Sequence, residues 1–107
     1  MRKADVFMNG KLAGYLTELE KGRHYQFDYI DRYNGLPVSL TMPLHGSGTY
    51  SFNDFPSFFR GLLPEGIMLE GLLNQKKIDR DDFFSQLVAT GGDLVGAVTV
   101  IESSANE

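Results

Sequence analysis

Histidine is the residue type best suited to acid–base chemistry or metal binding near neutral pH, and this chain has two, His24 and His45. Cysteine, the other common ligand of protein zinc, is absent. Neither histidine has a second ligand at the HxxxH or HxxE spacing that would favour a metal. His24 falls on the polar face of a predicted strand and His45 in a predicted polar loop. The sequence therefore predicts two solvated histidines, no metal and no cofactor.

An acidic cluster, Asp79, Asp81 and Asp82, could be taken for a cation-binding loop. An EF-hand loop would also need its glycine and its distal glutamate, which are missing here. Aspartate is a favoured residue at the start of a helix, where it accepts backbone N–H groups. We interpret Asp79 as an N-cap and the other two as first-turn residues.

The glycine-rich segment 91–96 reads GGDLVG and could be imagined around a phosphate. It lacks the Lys-Ser/Thr pair of a phosphate-binding loop, and it runs from a predicted helix into a predicted strand, the reverse of such motifs. No G-x-S-x-G motif or convincing Ser-His-acid set is present. The sequence predicts a protein without enzymatic activity.

Segment 55–73, FPSFFRGLLPEGIMLEGLL, concentrates large apolar residues around a Pro-Glu-Gly joint. All of them could be core, but two short helices can hardly bury every one. Exposed apolar residues beside a rigid turn favour a docking surface instead. Ile67 and Met68 point about 100° apart on a helix, so we expect one in the core and the other facing out. The candidate partner-binding residues are Leu63, Pro64, Glu65, Gly66, Ile67 and Met68.

These residues must be positioned by a first half of strands. Asn9-Gly10 separates two β-compatible runs, 4–8 and 11–17, and predicts a hairpin because a type I′ turn needs positive φ at both central residues. In 24–29, Tyr25, Phe27 and Tyr29 alternate with polar residues, as in a half-buried strand. Further turns are predicted at Lys21-Gly22 and Asn34-Gly35, a fourth strand at 37–42, and a mobile polar loop at 44–53.

The second half predicts three helices and a last strand. Asp54 is the expected N-cap of the first helix, and Pro64 interrupts it. The second helix covers 67–77 with Leu72 on its core face, and the third runs from Asp79 to a left-handed stop at Gly91-Gly92. The run 96–101, GAVTVI, is the best candidate for a central strand, and we expect the tail 102–107 to fray.

Strands followed by helices favour an α+β fold: a small curved, mainly antiparallel sheet of four early strands and a C-terminal strand, packed by about three short helices. The 107 residues make one domain, 1–107. A net charge of −4 disfavours direct binding to nucleic acid. No apolar run could span a membrane, no signal peptide is recognisable, and the absence of cysteine fits a reducing compartment. We expect a cytoplasmic protein.

Four segments in series resemble the N-terminal subdomain of HipA-like serine/threonine kinases, the toxins of bacterial HipBA modules. They are an opening hairpin, a Pro-x-Ser-Leu-x-x-Pro-Leu strand, a Phe-Phe-x-x-Leu-Leu-Pro-Glu/Asp segment and a Gly-x-Asp-x-Val-Gly-Ala-Val/Leu strand. Here they read VFMNGKLAGYLTEL (6–19), LPVSLTMPL (36–44), FFRGLLPEG (58–66) and GGDLVGAVTVI (91–101). The catalytic and nucleotide-binding lobes of the kinases have no counterpart in this sequence, so no catalytic residue carries over.

The resemblance extends to HipS-like antitoxins of three-gene HipBST modules, in which the subdomain is a separate chain. It implies an antitoxin that binds and inhibits a HipT- or HipA-like kinase, with a HipB-like DNA-binding protein as a third partner. Because the sequence begins with methionine and ends on a polar tail, we expect a complete small protein. The alternative is an N-terminal subdomain excised from a full-length HipA kinase, with a structural and partner-binding role.

Overall fold

The computed structural model describes residues 1–44, 46–93 and 96–103. It contains one five-stranded antiparallel sheet with the strand order β4-β3-β2-β1-β5, together with three helices. The predicted α+β class, with four early strands and a C-terminal strand, is confirmed. The elements are β1 Arg2–Met8, β2 Lys11–Glu20, β3 Arg23–Tyr29, β4 Thr49–Phe52, α1 Ser57–Arg60, α2 Gly66–Lys76, α3 Phe83–Thr90 and β5 Val98–Glu102, with a 3-10 turn at Gly91–Asp93.

The β1–β2 hairpin forms where the Asn-Gly pair predicts it. Asn9 has φ 52° and Gly10 has φ 80°, the left-handed pair that a type I′ turn needs. Gly22, at φ 79°, closes the next hairpin. In β3, Tyr25 and Phe27 are buried, so the period-two pattern also identifies the inner face of the sheet correctly.

The fourth strand is not at 37–42, as predicted, but at Thr49–Phe52, inside the segment predicted to be a loop. Proline at both ends of 37–43 removes ladder donors, and only an isolated bridge, Ser39 to Met42, remains. Main-chain groups of this segment bond to the Tyr29 hydroxyl instead of to a neighbouring strand. The hydroxyl accepts the Val38 N–H and donates to the Met42 carbonyl. In a strand at 37–42, Leu40 would share a face with Val38, but Val38 is buried and Leu40 is 94% exposed.

Two of the predicted helix caps are wrong. The N-cap of α1 is Pro56 rather than Asp54. With Asp54 as the cap, Phe55 would be the first helical residue, but it precedes Pro56 and is therefore kept out of the helical region. Helix α3 begins after Asp82 rather than Asp79, and the Asp82 carboxylate accepts the Ser85 N–H at 3.2 Å. Asp79 instead accepts the Asp82 N–H through its main-chain carbonyl.

The C-terminal strand lies at an edge of the sheet, beside β1, rather than at its centre. Gly91 is not left-handed, as predicted, but has φ −61°. A Cβ atom on Gly91 would overlap the Val100 carbonyl, so glycine is required here by the close approach of two backbones. Glu102 belongs to β5, and the buried Ser103 donates its N–H to Lys3. His45, Leu94, Val95 and the rest of the tail lie outside the described residues.

The core of the described residues joins the inner face of the sheet to α1 and α3. Phe59 of α1 and Phe84 and Leu87 of α3 are fully buried there. Phe27 packs against Phe59 with ring centroids 5.8 Å apart. Across the described ranges, no helix has the length and apolar character needed to cross a bilayer.

Candidate functional site: the joint between the first two helices

The joint is built from a short helix, a tight turn and a proline. After α1 ends at Arg60, the N–H of Leu62 bonds to Phe59 and that of Leu63 to Arg60, so the chain tightens instead of extending the helix. Pro64 follows and has no N–H to continue it. Glu65 is extended, at φ −131° and ψ 166°, and starts α2 as its N-cap. The joint is therefore fixed by backbone geometry.

The six candidate residues divide into two that are half-buried and four that are exposed. Leu63 is half-buried and packs against the core. Pro64 is half-buried, whereas Glu65 and Gly66 are exposed. Ile67 is 85% exposed and Met68 72% exposed. The expectation that one of these two serves the core is wrong, because both side chains face solvent.

The exposure of Ile67 and Met68 follows from how α2 is attached. Helix α2 contains no buried residue, and among the described elements its packing neighbour is α3. Leu72, predicted on the core face, is half-buried and outside the core cluster. Apolar residues spread around a helix cannot all face one neighbour. Most side chains of α2 are therefore exposed to solvent.

A shallow groove of about 200 Å³ lies beside the joint. Its walls combine apolar atoms of Leu63, Pro64 and Leu69 with polar ones. The Arg60 guanidinium lies 4.4 Å above the centre of the Phe83 ring, on the same wall. Two exposed apolar side chains next to a groove of mixed polarity can bind another protein surface.

A polar cluster around Arg2 is a second feature, which the sequence did not suggest. The guanidinium donates to Glu18 at 2.7 and 2.9 Å, to Asp82 at 2.9 Å and to Ser85 at 2.7 Å. Tyr25 also donates to Glu18, at 3.1 Å. The partners of Arg2 are 16 to 83 residues away in sequence, so no local motif could reveal the cluster.

The Arg2 cluster holds its charges in a partly buried position. Burial alone would raise the pKa of Glu18, but the hydrogen bonds from Arg2 and Gly22 and the charge of Arg2 keep that pKa below its ordinary value. The pKa of Asp82 is lowered against burial by Arg2 and Ser85. Burial and the neighbouring Glu18 raise the pKa of Tyr25. These shifts in pKa favour ionised carboxylates at Glu18 and Asp82 and a neutral hydroxyl at Tyr25. The cluster thus links β1, β2 and α3.

Three exposed leucines in the loop between β3 and β4 were also missed. Leu36 is 63%, Leu40 94% and Leu44 37% exposed. Because the pattern of segment 37–42 predicts a strand, the exposure of these leucines was not expected. The Nε2 atom of His24 lies 3.6 Å from the Oε1 atom of Glu20. No group of three potential metal ligands is found in residues 1–44, 46–93 and 96–103.

Comparisons with known proteins agree on the family. The family model of the HipA N-terminal domain matches residues 4–101. An uncharacterized protein of Haemophilus influenzae is 35% identical over 102 residues, covering 95% of this chain and 93% of that protein. The serine/threonine-protein kinase toxin HipA of Shewanella oneidensis is 33% identical over 98 residues, covering 92% of this chain and 22% of the kinase.

Solved structures give the same result. A structure of the N-terminal domain of HipA toxin aligns with a TM-score of 0.71 and 29% identity, over 99% of this chain and 96% of that one. A chain in the Shewanella oneidensis complex of HipA, HipB and operator DNA shares the fold, with a TM-score of 0.77 and 24% identity over 95% of this chain and 24% of that one. This chain belongs to the HipA N-terminal domain family.

Proposed function

We propose that this chain is an antitoxin that binds a HipT- or HipA-like serine/threonine kinase toxin and holds it inactive, without chemistry of its own. The observation that carries the proposal is the exposure of Ile67 and Met68 at a rigid joint, in a chain that matches the HipA N-terminal domain over residues 4–101. A surface of this kind is suited to burial against another protein.

The relation to the Shewanella kinase supports a kinase as the partner. In that protein the matching region is 22% of the chain, so the same domain is covalently joined to a much longer remainder. A separate chain with this fold can offer the corresponding surface in trans. Inhibition then requires only that the domain bind an inactive arrangement of the kinase more tightly than the active one.

The docking element is proposed to be Leu63–Met68, with Ile67 as its central anchor. Burying an isoleucine side chain that is 85% exposed is worth about 2 kcal/mol, or roughly thirtyfold in affinity. Because Leu63 already packs on the core, little backbone freedom is lost when the joint binds. Preorganisation of this kind favours a tight complex.

The test is calorimetric titration of the purified kinase with Ile67→Asp. We expect binding to weaken at least thirtyfold while the variant keeps the wild-type circular dichroism spectrum and melting temperature, because α2 contributes nothing to the core. Leu40→Asp is the matched control, since it places the same charge at a 94% exposed leucine in the loop between β3 and β4. Wild-type affinity for Ile67→Asp would refute the joint as the docking element, and weakening by Leu40→Asp alone would place the contact on the loop.

A HipB-like DNA-binding protein is proposed as a third member of the complex, with this chain making no direct contact with DNA. The Shewanella structure contains HipA, HipB and operator DNA together, and the net charge of −4 of this chain disfavours a phosphate contact of its own. We propose accordingly that the protein acts in the cytoplasm.

The second candidate function is that of a subdomain excised from a full-length HipA kinase, with a structural and partner-binding role. The 33% identity to the Shewanella kinase favours it. The coding sequence distinguishes the two: a stop codon followed by a separate kinase frame supports the antitoxin, and a continuous frame supports the subdomain.

A further inference from the structure

Helix α2 differs from the other two helices in what holds it to the domain. Helix α1 buries Phe59 and α3 buries Phe84, whereas α2 has no buried residue among its 11 positions. Its half-buried apolar side chains are Leu69, Leu72 and Leu73, and none of them is among the apolar residues packed on the described core. What keeps α2 in place is therefore a partial contact with α3, its main neighbour.

The contact between α2 and α3 is incomplete. The groove of about 200 Å³ is lined by Leu69 of α2 and by Phe83 and Gln86 of α3, so these side chains do not close on one another. The Glu70 carboxylate accepts two hydrogen bonds from Arg80, at 2.7 and 2.9 Å, but both side chains are exposed. An ion pair in water contributes little to stability, so this tie is weak.

The sequence of α2 adds little stability of its own. It contains Gly66 and Gly71, and glycine lowers helix stability more than any residue except proline. Its N-cap, Glu65, makes no side-chain hydrogen bond to the first turn. The helix ends at Lys77, whose φ of 57° is the left-handed conformation that glycine normally supplies. A helix of this length and composition depends on its packing to persist.

We propose that α2 opens as a separate unit while the sheet, α1 and α3 stay folded. The folded form of α2 dominates, and the open form is a minor state that the chain visits far more often than it unfolds globally. Leu63 packs on the core, so the chain before Pro64 keeps its place when α2 opens. The first turn of α2 carries Ile67 and Met68, so their fixed positions are lost in the open form.

Opening of α2 is thereby coupled to docking, and this step rests on the proposed function. A kinase that binds Ile67 beside Met68 binds only the folded form of α2. By linkage, it must then suppress the opening in proportion to its occupancy. The opening in the free chain does not depend on any partner.

The test is amide hydrogen exchange of the full chain, followed by NMR and corrected for intrinsic exchange rates. Amides of residues 70–76 should exchange about a hundredfold faster than those of Leu16 and Phe27 in the sheet. Gly71→Ala should slow exchange in α2 about fivefold, because alanine favours the helix and its Cβ atom meets nothing within 4 Å in the described chain beyond the helix backbone. Gly92→Ala makes the same change at an equally open position outside α2 and should leave exchange in α2 as it is.

Val6→Ala separates the opening of α2 from global unfolding. Val6 is fully buried in β1, so the variant destabilises the whole domain and should speed exchange at Leu16 and Phe27 about tenfold or more. Exchange in α2 should keep its wild-type rate, because β1 is folded in both the closed and the open form. Saturating purified kinase should slow exchange in α2 about tenfold or more.

The proposal is overturned if α2 exchanges as slowly as the sheet, or if Val6→Ala speeds both by the same factor. Gly71→Ala gives the independent reading if Val6→Ala does not fold, and an unchanged α2 in that variant would equally contradict the proposal. Bound kinase that leaves exchange in α2 unchanged would overturn the coupling and refute the joint as the docking element, while fast exchange in the free chain would still establish the opening.

Discussion

At the scale of single residues, Arg2 joins more of the molecule than any local pattern would suggest. It connects the start of β1 to Glu18 of β2 and to Asp82 at the beginning of α3, and its guanidinium lies 4.8 Å above the centre of the Phe84 ring. Glu18 is only 3% exposed, so its charge depends on this partner. The helix layer and the sheet are therefore coupled through one side chain.

Arg2→Met should lower the free energy of unfolding by about 2–3 kcal/mol, because it keeps the apolar stem and leaves the Glu18 carboxylate buried without its cation. The measurement is urea denaturation at neutral pH. Arg80→Met is the control: it breaks an ion pair with Glu70 of similar geometry, 2.7 Å, between exposed side chains, and should change nothing measurable. Equal losses for the two variants would mean that burial does not set the strength of the Arg2 cluster.

Acid should act through the same carboxylates. The pKa values of Glu18 and Asp82 in the fold lie below their ordinary values of 4.5 and 3.8. Their stabilisation is thus fully present above about pH 4.5 and is lost as the pH falls through the lowered pKa values. In Arg2→Met the desolvated Glu18 loses its cation, so the stability deficit of this variant should shrink between pH 7 and pH 3. A deficit that stays constant with pH would contradict the pairing.

At the scale of elements, the contact between Gly91 and β5 fixes how α3 is followed by the last strand. Gly91→Ala should cost about 2 kcal/mol or more, because a Cβ atom would overlap the Val100 carbonyl and force the two backbones apart. Gly92→Ala is the matched control, with nothing within 4 Å of its added carbon. Thermal unfolding of both variants measures the difference. Equal melting temperatures would show that the turn does not approach β5 as described.

Elements set by local patterns could be predicted from the sequence, and elements set by distant contacts could not. The Asn9-Gly10 hairpin needs only its own φ angles, so its residues were sufficient. Segment 37–42 has the alternating pattern of a strand. It forms a loop instead, because its main-chain groups bond to the Tyr29 hydroxyl rather than to a neighbouring strand. The edge position of β5 comes from its pairing with β1, which strand composition does not reveal.

The candidate site was predicted in part, for the same reason. The proline and glycine of the joint correctly predicted a turn between α1 and α2. Whether Ile67 or Met68 meets the core depends on how α2 packs, and its main packing neighbour among the described elements is α3. The Arg2 cluster arises from long-range pairing between residues 16 to 83 positions apart, which one sequence does not display.

At the scale of the whole molecule, the match to the HipA N-terminal domain, a non-catalytic subdomain, covers residues 4–101. Purified protein incubated with labelled ATP and a generic protein substrate should transfer no phosphate above a blank, because the sequence has no counterpart of the catalytic and nucleotide-binding lobes. Transfer that survives stringent purification, and is lost on heat unfolding of this chain, would contradict a purely binding role.

The most direct test of the antitoxin proposal is inhibition of the purified cognate kinase. Its phosphorylation rate should fall as this chain is added and reach a floor near molar equivalence, and Ile67→Asp should require at least thirtyfold more protein for the same inhibition. A kinase rate that is unchanged, or raised, by a molar excess of the folded wild-type chain would contradict the account.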